Sequence, residues 1–169
     1  MAELRNIVQG TLLENEPMSR HTSYGIGGPA AAYITPKDRY DLGEILKFAN
    51  QHSIQTYFVG SGSNLLVADS GINGIVLTPA KALTHLEFDG GNVIAESGVM
   101  LGRLVKECIK RNLTGVESLI GVPGTLGGAL VMNAGAFGGE ISNYLNSVEI
   151  MDMTGKVKTY YPGDIDFAY

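Results

Sequence analysis

The stretch GVESLIGVPGTLGGALVMNAGAFGG, residues 115–139, holds a large share of the chain's 23 glycines and no positively charged side chain. Glycine lacks a β-carbon, so its backbone adopts otherwise forbidden conformations and a ligand can approach the main chain closely. Residues 121–128 lead into the mostly apolar residues 129–134, which predict one or two turns of helix. A glycine loop before a helix start presents free N–H groups and a positive dipole end, which suits a phosphate. The alternative interpretation is a tight buried turn without a ligand.

A second glycine loop, VGSGSNLL at residues 59–66, follows a short apolar run. It offers main-chain amides, two serine hydroxyls and the amide of Asn64, again without a lysine. It is not a Walker A loop, which requires Gly-Lys-Ser/Thr, and it is not a Rossmann fingerprint, because Leu65 stands at the third glycine position. Two uncharged loops of this kind suit an internal diphosphate. The residues therefore favour a dinucleotide binder outside the common fold.

Composition limits the class of protein. The 169 residues carry 12 basic and 17 acidic side chains, a net charge of −5, so we do not expect nucleic acid as a partner. We find no apolar run long enough for a membrane span and no signal peptide, and we expect a cytoplasmic protein. The single Cys108 lies on an apolar helical face, so we interpret it as a core residue. The three histidines are far apart in sequence, which disfavours a zinc site.

In the first half of the chain, predicted strands alternate with a helix. Residues 1–17 carry apolar side chains at roughly helical spacing and form a lead-in segment. Thr35 is the expected cap of a helix that ends near His52. Strands are predicted at residues 31–34, 56–59 and 74–77. The second glycine loop follows strand 56–59 at its carboxyl end, where open α/β sheets place ligands.

The second half of the chain is predicted to contain two hairpins and a helix. The hairpins pair residues 85–88 with 93–96 and residues 146–153 with 156–160, and the helix covers residues 101–111. We expect a small α/β subdomain at residues 1–79 and a larger α+β subdomain at residues 80–169.

The motifs, taken in order, resemble those of a known family. They are His21-Thr-Ser, Gly27-Gly-Pro-Ala30, Gly60-Ser-Gly-Ser-Asn-Leu-Leu66, Gly98-Val, Gly115-Val-Glu, Gly121-Val-Pro-Gly-Thr-Leu-Gly-Gly-Ala129, Asn133-Ala-Gly-Ala-Phe-Gly138 and Asp166-Phe-Ala-Tyr169. Together they are similar to the UDP-N-acetylenolpyruvoylglucosamine reductase (UDP-N-acetylmuramate dehydrogenase) family of peptidoglycan synthesis, from about residue 15 onward. The motif at residues 133–138 resembles the type II branch. The resemblance implies an α+β FAD-binding fold of the vanillyl-alcohol oxidase (PCMH) type.

The resemblance also implies a cofactor, a reaction and a set of binding residues. Family members pass a hydride from NADPH through FAD to the enolpyruvyl group of a nucleotide sugar, which serves cell-wall biogenesis, cell shape and cell division. The expected cofactor-binding residues are Gly60, Ser61, Gly62, Ser63, Asn64, Leu65, Gly121, Pro123, Gly124, Thr125, Gly127, Gly128, Ala129, Asn133, Ala134, Gly135 and Ala136. In this assignment residues 133–136 lie along the flavin.

The family's catalytic groups have no counterpart that we identify in this sequence. Its arginine directly follows the Phe-x-Tyr element, which here ends the sequence at Tyr169. Its serine and glutamate belong to a third, substrate-binding domain. We therefore expect an FAD-binding portion that is inactive alone and has no catalytic or metal-binding residues. The alternatives are another flavin oxidase or dehydrogenase of the same fold, and a non-catalytic nucleotide-binding module.

Individual side chains allow further expectations. Asn64 is interpreted as a ligand contact rather than a cap of its own turn. Glu117 is expected to bond backbone amides within the glycine loop. Tyr24, Tyr33 and Tyr40 are expected to be packing residues rather than flavin-stacking residues.

Overall fold

The structure is a computed structural model that describes residues 1–167. The chain divides into two units, of which the first contains residues 1–83 and 151–157. The second unit contains residues 84–150 and the residues from 158 onward. The motif at residues 166–169 ends in Ala168 and Tyr169, which lie outside the described residues.

A four-stranded sheet forms the centre of the first unit. Its elements are helix α1 (Ala2–Ile7), strands β1 (Thr11–Pro17) and β2 (Pro29–Thr35), helix α2 (Arg39–Gln51), and strands β3 (Thr56–Phe58) and β4 (Ile72–Leu77). The strand order is β1-β2-β4-β3; β1 pairs antiparallel with β2, and the other pairs are parallel. The strands predicted at residues 31–34, 56–59 and 74–77 are confirmed. Because β2, β4 and β3 run parallel, their carboxyl ends share one edge of the sheet.

Alternate side chains of the sheet fill a core on each face. One face packs against α2 in a cluster that includes Ile34, Ile45 and Leu77, each of them buried. The other face buries Val59 and Val67 in a separate cluster. Since these two valines flank residues 60–66, the second glycine loop is anchored in the core at both ends.

The sequence prediction for the first unit misses one strand and misplaces one helix cap. Residues 11–17 form β1 instead of a lead-in segment, because they pair along β2 with Thr11 opposite Thr35. Thr35 therefore ends β2 and does not cap α2. Asp38 is the cap, and its carboxylate accepts the N–H groups of Tyr40 and Asp41 at 2.9 and 3.0 Å.

Within residues 84–167, the second unit is built from short strands, two α-helices and short 3₁₀ turns. Its elements are strands β5 (Leu86–Asp89) and β6 (Asn92–Ala95), helices α3 (Leu101–Lys110) and α4 (Leu126–Val131), and strands β7 (Gly135–Ala136), β8 (Gly139–Glu140), β9 (Val148–Met151) and β10 (Val157–Tyr160). The tip between β9 and β10 belongs to the first unit. The predicted hairpin at residues 85–96 and the helix at residues 101–111 are confirmed. Every helix within residues 1–167 is too short or too polar to span a bilayer.

The core of the second unit lies around α3. Val105 and Cys108 of α3 pack with Leu119 and with Ala129 of α4. Cys108 is 2% exposed, which confirms it as a core residue, and burial raises the pKa of its thiol. Leu119 comes from a 3₁₀ helix at Val116–Gly121, which lies within the glycine-rich stretch. The stretch is thus attached to the core.

Candidate functional site

Loop 1, defined as residues 60–65, leaves β3 at the carboxyl edge of the parallel strands. The N–H groups of Gly60, Ser61 and Asn64 donate no hydrogen bond to any residue in the range 1–167. Ser61 and Asn64 are exposed, and the Asn64 side chain forms no turn cap within the same range. Successive main-chain N–H groups with no acceptor in that range, as at Gly60 and Ser61, can form a concave site for an anion. The geometry of loop 1 therefore fits the interpretation of this loop as an anion-binding loop.

Gly62 is required by the protein's own backbone. Its φ is +72°, and a β-carbon at this position would overlap the carbonyl oxygen of His21. The N–H of Ser23 donates to the Gly62 oxygen at 3.0 Å. Glycine at this position lets residues 21–23 lie directly against loop 1. A cofactor contact by Gly62 stays a prediction, and it is not needed to explain the glycine.

In loop 2, defined as residues 121–129, the N–H groups at the start of helix α4 donate hydrogen bonds to other groups of the protein. The N–H of Leu126 donates to the Val99 oxygen and that of Gly127 to the Ser97 oxygen, both at 2.8 Å. The third amide, that of Gly128, donates to the buried Thr125 hydroxyl at 3.3 Å. The expectation of free N–H groups at this helix start is wrong for all three amides, because two of them bond to the preceding segment and the third bonds to the cap residue Thr125.

Loop 2 nevertheless leaves part of its main chain open. A β-carbon at Gly121 would meet no atom within 4 Å, and one at Gly128 would meet only the Thr125 hydroxyl, at 3.4 Å. The N–H of Gly124 has no acceptor among the described residues. Gly127 differs, because a β-carbon there would lie 2.8 Å from that of Ser97. Glycine at 127 serves packing, whereas Gly121 and Gly128 leave room for a ligand against the backbone.

The side chain of Asn133 is used within its own hairpin. Asn133 is 3% exposed, with φ at +42°. Its Nδ2 donates to Glu140 Oε2 at 2.6 Å, and its Oδ1 accepts the Ser142 N–H at 3.4 Å. These bonds hold β7 (Gly135–Ala136) beside β8. Asn133 therefore orients residues 134–136, and the sequence analysis missed its partner Glu140, which lies beyond the motif.

The expectations for single side chains have mixed outcomes. Glu117 accepts the Gly115 N–H at 2.7 Å, which confirms its role within the glycine-rich stretch. Tyr33 is buried and is confirmed as a packing residue. Tyr24 and Tyr40 are 67% and 80% exposed, so the prediction that they are packing residues is wrong. Their spacing in the sequence carries no signal that separates them from Tyr33.

No cluster of three or more His, Cys, Asp or Glu side chains that would suit a metal ion occurs in the part of the chain that the structure describes. His21 instead faces Glu16, with its Nε2 3.0 Å from Oε1 of the carboxylate. Loop 1 lies in the first unit and loop 2 in the second. That both loops bind one diphosphate stays a prediction.

Comparison with known proteins identifies the family. The sequence profile described as "FAD binding domain" matches residues 30–160, a range that contains both loops. The chain belongs to this FAD-binding domain family. The expected α+β FAD-binding fold is confirmed.

Curated relatives of this FAD-binding domain carry the name that its motifs indicated. The UDP-N-acetylenolpyruvoylglucosamine reductase of Heliobacterium modesticaldum is 38% identical over 169 residues, which are 100% of this chain and 54% of the relative. The Clostridium botulinum protein of the same name is 41% identical over 158 residues, 94% of this chain and 51% of the relative. The resemblance is confirmed, and the chain spans about half the length of these relatives.

Solved structures agree with the assignment of the FAD-binding domain. The UDP-N-acetylenolpyruvylglucosamine reductase of Thermus caldophilus is similar with a TM-score of 0.76 and 30% identity, over 95% of this chain and 55% of that chain. Cholesterol oxidase from B. sterolicum is similar with a TM-score of 0.67 and 16% identity, over 90% of this chain and 33% of that chain. The second likeness shows the fold alone.

Proposed function

We propose that this chain is the FAD-binding half of a cytoplasmic, NADPH-dependent reductase that converts UDP-N-acetylglucosamine enolpyruvate to UDP-N-acetylmuramate in peptidoglycan synthesis. The proposal is supported chiefly by the 38% identity over the full 169 residues to a reductase of that name. NADPH as the hydride donor and the nucleotide sugar as the substrate follow from the family resemblance.

The chemistry of loop 1 fits the diphosphate of FAD. The N–H groups of Gly60, Ser61 and Asn64, which have no acceptor among residues 1–167, are neutral donors, and they suit an internal diphosphate better than a terminal phosphate with its metal ion. The hydroxyl of Ser61 is exposed and adds a further donor. In this proposal loop 1 binds the diphosphate through hydrogen bonds.

Loop 2 contributes shape rather than helix-start donors. The open backbone at Gly121 and Gly128 admits a flat ligand against the main chain. The Asn133–Glu140 bond fixes the hairpin whose residues 134–136 we assign to the flavin. FAD, when bound, supplies the hydride chemistry. The residues assigned here bind and orient it, and none of them is given a catalytic role.

The identity of the bound molecule tests the proposal. The purified chain is expected to be yellow, and denaturation is expected to release FAD, identified by chromatography and mass spectrometry. FAD added to colourless protein should bind with one-to-one stoichiometry. A chain that carries another nucleotide and takes up no FAD on titration contradicts the proposal.

A further inference from the structure

We infer that His21 is a positioning residue for loop 1: its imidazole is held on one side so that the backbone of residues 21–23 supports Gly62 on the other. The consequence for cofactor affinity rests on the proposed function. The support itself is a feature of the first unit and can be measured without any ligand.

The imidazole of His21 lies between two buried groups on neighbouring strands. Its Nε2 is 3.0 Å from Oε1 of Glu16 on β1, and Glu16 Oε2 is 3.5 Å from Nη1 of Arg20. Its ring stacks on Tyr33 of β2, with 3.8 Å between ring centroids and 21° between the planes. Glu16 and Tyr33 are 8% and 7% exposed. Because both partners sit in the sheet, the ring has a fixed position.

The backbone of the same segment is in contact with loop 1. The carbonyl oxygen of His21 occupies the space that a β-carbon of Gly62 would need, and Thr22 Cα is 3.1 Å from that position. The N–H of Ser23 donates to the Gly62 oxygen at 3.0 Å. A side chain anchored in the sheet therefore determines where residues 21–23 meet the loop.

A separate contact supports the first residue of the loop. The hydroxyl of Thr78, at the end of β4, donates to the Gly60 oxygen at 3.4 Å. Loop 1 is thus supported at Gly60 by Thr78 and at Gly62 by residues 21–23. The N–H groups that lack an acceptor within residues 1–167, those of Gly60, Ser61 and Asn64, lie at or next to these supported positions in the sequence.

The ligand-free test compares amide hydrogen exchange in variants of the 169-residue chain. His21→Ala removes both the Glu16 contact and the stacking, whereas His21→Phe keeps a stacking ring and Glu16→Gln keeps an oxygen acceptor. We expect exchange of the Ser23 amide to accelerate about tenfold in His21→Ala, relative to the amides of α2, and less in the other two. The matched control is Glu14→Gln, on the same strand but paired with Arg5, which should change nothing.

The ligand test measures the FAD dissociation constant by flavin fluorescence, corrected for the folded fraction of each variant. We expect His21→Ala to weaken binding about tenfold, the loss expected from one misplaced hydrogen bond to a charged group. The inference is overturned if the Ser23 amide of His21→Ala still exchanges at the wild-type rate relative to the amides of α2. It is also overturned if the chain binds FAD and the corrected dissociation constant of this variant is unchanged.

Two further outcomes are also decisive. If the wild-type chain binds no FAD, the proposed function fails, while the Ser23 amide still decides whether His21 supports loop 1. If His21→Ala does not fold, His21→Phe and Glu16→Gln provide the same comparison. Wild-type exchange at Ser23 in both would then overturn the inference, and accelerated exchange in either would support it.

Discussion

The hydroxyl of Thr125 accepts the N–H of Gly128 at 3.3 Å, and this pair closes the first turn of α4 from within the chain. The N–H groups of Leu126 and Gly127 are hydrogen-bonded to the carbonyl oxygens of Val99 and Ser97. None of the three N–H groups at residues 126–128 is therefore available to an anion. The two loops therefore differ in kind. Loop 1 offers several hydrogen-bond donors, whereas loop 2 offers open backbone and the N–H of Gly124, which has no acceptor among the described residues.

Gly128→Leu is expected to remove FAD binding without unfolding the chain. Gly128 has ordinary helical backbone and open space around its missing side chain, so leucine is tolerated by the fold and even favoured in a helix. Its side chain fills the space that we assign to the cofactor. Circular dichroism and flavin fluorescence measure the two effects separately.

Two controls make the Gly128 result specific. Gly91→Leu adds the same bulk in the β5–β6 turn, where a β-carbon meets no atom within 4 Å, and should leave FAD binding unchanged. Gly127→Ala should destabilise the chain by about 1–3 kcal/mol, because its β-carbon lies 2.8 Å from that of Ser97. Full FAD affinity in folded Gly128→Leu would show that the cofactor lies elsewhere.

Asp41→Ala is expected to lower the free energy of unfolding by about 3 kcal/mol. The carboxylate, 1% exposed, accepts the N–H groups of Gln9, Gly10 and Lys37 at 3.0, 2.9 and 2.7 Å. Its removal leaves these amides without their charged acceptor. Urea denaturation measures the change. The control Glu44→Ala, on the exposed side of α2, should cost less than about 0.5 kcal/mol, and equal losses in both would contradict this role.

The Glu107 carboxyl is expected to stay ionised at acidic pH values at which an ordinary glutamate is protonated. Hydrogen bonds from Lys110 and then Arg111 lower the pKa of its carboxyl to about 2. Because the folded-state pKa lies below the unfolded one, the stabilisation by this ion pair is complete above about pH 4.3 and is lost as the pH falls toward 2. A carbon-detected NMR titration gives the value directly. Lys110→Ala should raise it, whereas Lys106→Ala, on the same helix, should not.

The helices and the hairpin could be predicted from local sequence signals, but the long-range contacts that fix where elements begin and pair could not. The apolar spacing of α2 and α3 and the turn residues of the β5–β6 hairpin are contained in short windows. Thr35 and Asp38 are both good caps by sequence, and pairing of Thr35 with Thr11 on a distant strand decides between them. β1 was missed for the same reason.

The glycines show the same limit. The sequence indicated both loops but not the purpose of each glycine within them. Gly62 lies against the backbone of His21, and Gly127 lies against Ser97, although tens of residues separate the two members of each pair in the sequence. Neither His21 nor Ser97 belongs to the motif of the loop that it contacts, so that motif cannot predict the contact. Local sequence therefore located the candidate site without separating its ligand-facing glycines from those required by packing.

The measurement that tests the central claim most directly is the NMR response of the loop 1 amides to FAD. The account predicts that the amide signals of Gly60, Ser61 and Asn64 shift on titration with FAD and also with ADP, because each N–H acquires a diphosphate acceptor. Adenosine, which has no phosphate, should leave them in place. If FAD binds and these three signals do not move, the diphosphate lies elsewhere and the account is contradicted.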